Sequence, residues 1–120
     1  MERELEVEYV NKDGRGEVLR ILFRGDEFLL VTQKKGVARG GHSHKLDVKH
    51  FFISGSLVYK SIENGKEIEK VVKAGDVLHV KSGIIHMLTA LEDSIFLEEV
   101  PKGQETTNYE PWRKIVEKFI

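Results

Sequence analysis

Short apolar runs, each closed by turn residues, recur from Leu5 to Val100 with no helical periodicity between them. Strand-and-turn units that repeat at roughly 8 to 12 residues leave no room for helical crossovers, so the pattern predicts an all-β sandwich or barrel. Leu5, Val7 and Tyr9 alternate with Glu4, Glu6 and Glu8. That period of two reads as a half-buried strand. Residues 11–16 read as a turn, Val18 to Phe23 as a strand buried on both faces, Arg24-Gly25-Asp26 as a second turn and Phe28 to Thr32 as a third strand. Further strands are expected over 48–53, 57–62, 68–72, 77–80, 84–89 and 94–100. Asn64-Gly65 between two alternating runs is a hairpin signal, because a type I′ turn needs positive φ at both central residues. The end of the chain changes period. Pro111 suits a first helical turn, and Trp112, Ile115, Val116 and Phe119 fall on one helical face, predicting a short helix over 111–119 that must pack on the sheet or on a partner.

Composition narrows the function. The 120 residues are 40% hydrophobic, enough for one modest core, so a single domain is expected over 1–120. Nineteen basic against twenty acidic residues give a net charge of −1, which offers no field for a nucleic-acid backbone. No apolar run reaches the ~20 residues of a membrane span, and Met1 leads into Glu2-Arg3-Glu4 rather than a leader peptide, so the expected location is the cytoplasm. The chain has no cysteine, so any metal must be held by His, Asp or Glu. A Lys/Glu-rich surface with few thermolabile residues points to a thermostable protein.

All five histidines lie between positions 42 and 86. On a strand His42 and His44 point to the same face, two imidazoles side by side, and a later strand carrying His86 opposite them makes a three-point grip. His50 shares their parity and is a candidate fourth nitrogen, unless an irregularity at Leu46-Asp47 turns it outward. His79 reads as an ordinary hydrogen-bonded residue.

The wider spacing carries a family resemblance. Gly36, five residues, His42-Ser43-His44 and then Gly55 follow the first motif of the cupins. Gly75, five residues, Lys81-Ser82-Gly83, two residues and His86 follow the second. The chain resembles the cupin superfamily over about 18–100. The resemblance implies a double-stranded β-helix, a jelly-roll barrel, with His42, His44 and His86 binding a metal in its mouth. It departs from the family where a ligating glutamate is usual, since Val48 and Lys49 stand there, and a lysine replaces the proline of the second motif. Three neutral imidazoles suit zinc, iron, nickel, copper or manganese better than magnesium or calcium. The implied activity is binding of, or action on, a small molecule, as an oxygenase, isomerase or epimerase, and a homodimer is expected because an edge strand such as Leu5-Val7-Tyr9 invites cover. The stretch Arg39-Gly40-Gly41-His42-Ser43-His44-Lys45 also looks like that of the cupin ketoisomerases of nucleotide-linked deoxysugars. In that reading the histidines move protons without a metal, and Arg39 or Lys45 meets the pyrophosphate. Parity adds Phe52, Tyr59 and Leu88 as lining residues for a sugar or other substrate. A barrel that binds a small molecule without turnover is the third reading.

Overall fold

The computed structural model describes residues 4–120; the reading of Met1-Glu2-Arg3 lies outside them. Eleven strands and one helix are described: β1 (Leu5–Asp13), β2 (Gly16–Phe23), β3 (Asp26–Gln33), β4 (Ala38–His44), β5 (Val48–Ser54), β6 (Ser56–Glu63), β7 (Lys66–Lys73), β8 (Val77–Val80), β9 (Ile85–Ala90), β10 (Ser94–Glu99), β11 (Thr106–Asn108) and α1 (Glu110–Glu117). They form two antiparallel sheets, one ordered β1-β2-β3-β10-β5-β8 and the other β11-β4-β9-β6-β7. The expected all-β architecture with one short C-terminal helix is what the chain adopts. The inner faces of the two sheets meet over a core that includes Val31, Phe52, Leu57, Tyr59, Leu88 and Phe96.

Local chemistry sets the turns. Asn64 and Gly65 have φ of 54° and 74°, the left-handed pair of a two-residue hairpin, and β6 pairs with β7 from Ser56↔Lys73 to Glu63↔Lys66. The turn expected over 11–16 is shorter than that. β1 and β2 stay paired to Asp13↔Gly16, so only Gly14 and Arg15 turn the chain, and Asp13 closes them by accepting from the Arg15 backbone N–H at 2.8 Å. The strand expected to carry His42 and His44 is β4, which begins earlier, at Ala38, while β11 was not expected. Glycines interrupt the first and polar residues make up the second, and their pairing with neighbours supplies what propensity does not.

Burial corrects three expectations. β1 is exposed on both faces, with Leu5, Val7 and Tyr9 at 53%, 58% and 59% exposure, because it lies at the sheet edge and hydrogen-bonds to β2 alone. β2 is half-buried along most of its length rather than buried on both faces. In α1 the buried side chains are Trp112 and Val116, while Ile115 turns outward at 39% exposure. The helix lies on the outer face of the second sheet against Ala38 and Met87, with Ile62, Ile85, Tyr109 and Phe119 around the contact. No helix of the described residues is long and apolar enough to cross a membrane.

Candidate metal centre

Register places the histidines. β4 pairs with β9 up to Gly40↔Met87, then slips by one residue at Gly41, so that His42 faces His86. Gly41 can absorb the bulge because its φ is 72°, a region L residues rarely adopt. A Cβ there would also lie 3.1 Å from both the Arg113 nitrogen and the Trp112 carbonyl carbon, so the helix packs directly on this glycine. His44 follows two positions later on the same face, paired with Thr106 of β11.

The three rings close on one point. Their centroids are 4.7, 4.9 and 5.0 Å apart, and one nitrogen from each lies within 4.8 Å of the others. One tautomer is fixed. His86 Nδ1 lies 3.0 Å from the Ile84 carbonyl, which can only accept, so Nδ1 carries the proton and Nε2 keeps a free lone pair. His44 Nδ1 lies 3.1 Å from Thr106 Oγ1, while its Nε2 is buried with no partner. Burial, reinforced by neighbouring imidazoles, lowers the proton affinity of all three. His42 titrates at about 4 and His86 at about 3, so both are neutral at pH 7. A free lone pair on His86, a buried unpartnered nitrogen on His44 and a partner for the second nitrogen of each are what a transition metal requires of an imidazole site.

His50 is buried, and the irregular stretch through Leu46-Asp47, with its bend at Lys45-Leu46, does not turn it outward. Its ring lies 6.2 Å from that of His86, outside the three-nitrogen cluster, and its Nε2–H donates to Glu98 Oε1 at 2.7 Å. Glu98 is the carboxylate of this site. The cupin-like pattern would put one at 48 or 49, but Val48 is buried and apolar and Lys49 is exposed. Glu98 comes instead from β10, directly opposite His50 in register. Burial pushes its proton affinity up, but the His50 hydrogen bond and the charges of His50, His44 and His42 outweigh this and hold it at about 2.

A cavity of about 140 Å³ adjoins the cluster, lined by His42, His50, His86, Leu88, Glu98 and Phe96 among others. Three arginines border it: Arg39 of β4, Arg15 of the first hairpin and Arg113 of α1. Of the other residues expected to line a site, Phe52 and Tyr59 lie in the core, Tyr59 with its ring 6.3 Å from His86. Lys45 is on the surface, paired with Glu105 at 2.8 Å. His79 is exposed on β8. A larger groove of about 840 Å³ runs along Arg20, Phe28, Glu99 and Lys102 and contains no histidine, so the chemistry lies in the smaller cavity.

No family model matches the chain, and no curated protein does. Solved structures do. The chain superposes on oxalate decarboxylase from Bacillus subtilis with a TM-score of 0.75 at 20% identity, over 94% of this chain and 34% of that one. Against the capsular polysaccharide assembling protein CapF from Staphylococcus aureus the TM-score is 0.72 at 20% identity, over 86% of this chain and 32% of that one. Both have the cupin fold. This chain has the cupin fold. It spans about a third of the length of those relatives. The jelly-roll expectation therefore holds, and the histidines of the two sequence frames lie on β4 and β9, which pair so that His42 faces His86. The three-histidine cluster fits a metal-binding small cupin.

Proposed function

We propose that His42, His44 and His86 hold a divalent transition metal ion, and that the protein binds or acts on a small molecule reaching that ion through the adjoining cavity. The observation that carries this reading is the convergence of three neutral imidazole nitrogens within 4.8 Å, one of them buried and otherwise unpartnered. Zinc, iron, nickel, copper and manganese all suit such a donor set, and one structure of the oxalate decarboxylase relative describes Mn(II) centres. A bound ion would supply Lewis acidity or redox chemistry. The chain's own part is to keep three lone pairs aimed at one point, to hold Glu98 ionised beside them through His50, and to limit the cavity to a small occupant.

The test is elemental analysis of the purified protein and of its alanine variants. His42→Ala, His44→Ala and His86→Ala should each reduce bound metal from one ion per chain to a small fraction, and His79→Ala should leave it unchanged. Absence of a stoichiometric ion, with no uptake of any of the five metals, would overturn the proposal. The likeness to a capsular polysaccharide assembling protein favours a sugar or sugar nucleotide as the second reading, with the histidines as metal-free acid and base. Proton affinities far below neutral weigh against that role. Chelator-insensitive isomerisation of a keto-sugar nucleotide would install it.

A second copy of the chain completes the proposal. Cross-strand partners share a face, so the register defines one apolar row, Val77–Phe51–Leu97–Leu30–Leu19–Tyr9, across the outer side of all six strands of the first sheet. Val7, Ile21 and Phe28 form a second row beside it. Helix α1 covers the corresponding outer face of the second sheet, and nothing among the described residues covers this one. Six strands at ~4.8 Å spacing give a face roughly 24 Å wide, and strands of four to nine residues at ~3.4 Å each make it about 14–30 Å long, a footprint of roughly 300–700 Å² that approaches the ~800 Å² per partner of a standard interface. Two copies packed face to face through this sheet bury it isologously.

A further inference from the structure

The cavity beside the histidines is lined by three arginines, and two of them keep a buried guanidinium nitrogen that no protein group satisfies. Arg15 is matched, with Nη2 at 2.7 Å from Asp13 Oδ2, and Asp13 is held well below the usual carboxylate range by that contact. Arg39 is not matched. Among the described residues no carboxylate lies within 4 Å of it; Nη2 donates to the Thr32 carbonyl at 3.2 Å, and Nε is buried with no partner. Its place inside the barrel follows from register, since it pairs with Leu88, which lines the same cavity. Burial, with Arg15 close by, lowers its proton affinity to about 10, which still leaves it charged. Arg113 reaches the cavity from α1. Its Nη1 donates to the Gly40 carbonyl at 3.0 Å, and its Nε is buried without a hydrogen bond, the Glu117 carboxylate standing off at 3.8 Å. Glu98, the one acidic side chain lining the cavity, is already engaged by His50.

Buried guanidinium donors left unpaired are costly, and a planar carboxylate is the group that satisfies them in pairs. A cavity of about 140 Å³ is below the ~300 Å³ where drug-sized ligands begin, so the occupant has few heavy atoms. The geometry points to an anion subsite formed by Arg39 and Arg113, which takes one carboxylate of a small dicarboxylate or oxo-carboxylate and leaves the rest of the molecule over His42, His44 and His86. The subsite names the substrate class for the centre proposed above. It rests on that reading only for the far end of the ligand, because the two arginines need no metal to bind an anion.

The experiment titrates the full chain, as purified and again after chelation, with malonate, inorganic phosphate and uncharged malonamide, by calorimetry and by NMR. Malonate should bind both forms, more tightly with metal present. Phosphate should bind at least tenfold more weakly, and malonamide not at all. Arg39→Gln and Arg113→Gln should each weaken malonate at least tenfold, Arg39→Lys should recover part of the loss, and Arg20→Gln on the separate groove should bind as wild type. Circular dichroism of each variant checks folding, and Arg39→Lys keeps the comparison valid if Arg39→Gln does not fold. Equal affinity for malonate and malonamide, tighter binding of phosphate, unchanged affinity in both glutamine variants, or no malonate binding by either form would each overturn the subsite. Malonate binding by a protein that takes up no metal would instead retain the subsite and remove the metal reading.

Discussion

Replacing Trp112 by alanine tests how the helix is held to the barrel. Trp112 is 6% exposed, packs with Ala38, Met87 and Val116, stacks edge-on against Tyr109 at 5.6 Å, and has Lys60 Nζ 5.1 Å from its ring centre. Deleting a buried indole costs about 3–5 kcal/mol in transfer and cavity terms, and the partly exposed cation–π contact adds only about 0.5 kcal/mol. An eight-residue helix has no stability of its own, so once its main anchor is gone Val116, Phe119, the packing on Gly41 and the Arg113–Gly40 hydrogen bond are left to oppose detachment. For a chain of this length roughly 4 °C accompanies each kcal/mol, which puts the expected fall in melting temperature at about 12–20 °C.

The assay is urea unfolding followed by far-ultraviolet circular dichroism at one fixed protein concentration, because Trp112 is the only tryptophan and its fluorescence is lost with it. Ile115→Ala on the exposed side of the same helix is the control and should cost less than about 0.5 kcal/mol. A loss below about 1 kcal/mol for Trp112→Ala, or equal losses for the two variants, would refute the reasoning.

Three further outcomes follow from the same structure. In metal-free protein the folded His42 and His86 titrate at about 4 and about 3, below their unfolded value of 6.5, so their contribution is complete above pH ~6.5 and declines as pH falls toward 4. The slope from the pair approaches roughly 2.7 kcal/mol per pH unit, Glu98 at about 2 acts in the same sense below pH 4.5, and urea midpoints that stay flat from pH 7.5 to 5 would contradict this. Light scattering should give twice the 13.8 kDa chain mass at micromolar concentration, and Leu19→Lys with Leu30→Lys should return it to the chain mass; a wild-type protein that stays at 13.8 kDa removes the dimer. From the Lys/Glu-rich surface and the absence of cysteine, melting is expected above ~90 °C, and a scan with its midpoint near 55 °C would end that expectation.

What the sequence made legible was local or periodic. The hairpin at Asn64-Gly65 follows from two backbone angles, and the facing of His42 and His44 follows from strand parity. The position of His86 opposite them is a long-range fact, and it was reached only because two glycine-histidine frames together specify a barrel. Glu98 was missed for a physical reason. In Ser94-Ile95-Phe96-Leu97-Glu98-Glu99 both parities carry apolar residues and both end in glutamate, so alternation cannot say which carboxylate enters the barrel. Register decides it, since Glu98 stands opposite His50 and Leu29 while Glu99 stands opposite Phe28 on the outer face. The same doubled pattern, in Val18 to Phe23, explains the misread burial of β2, whereas β1 alternates cleanly and was misread for another reason. An alternation such as Leu5-Val7-Tyr9 announces that one face is to be covered, but it does not say by what, and within this chain nothing described covers it. Arg113 was invisible for a related reason, because it reaches the cavity only through the packing of α1 on Gly41. A helix with Trp112 and Val116 turned inward presents the residue between them and the barrel mouth, so the burial that stabilises the C-terminus is also what delivers a guanidinium to the site.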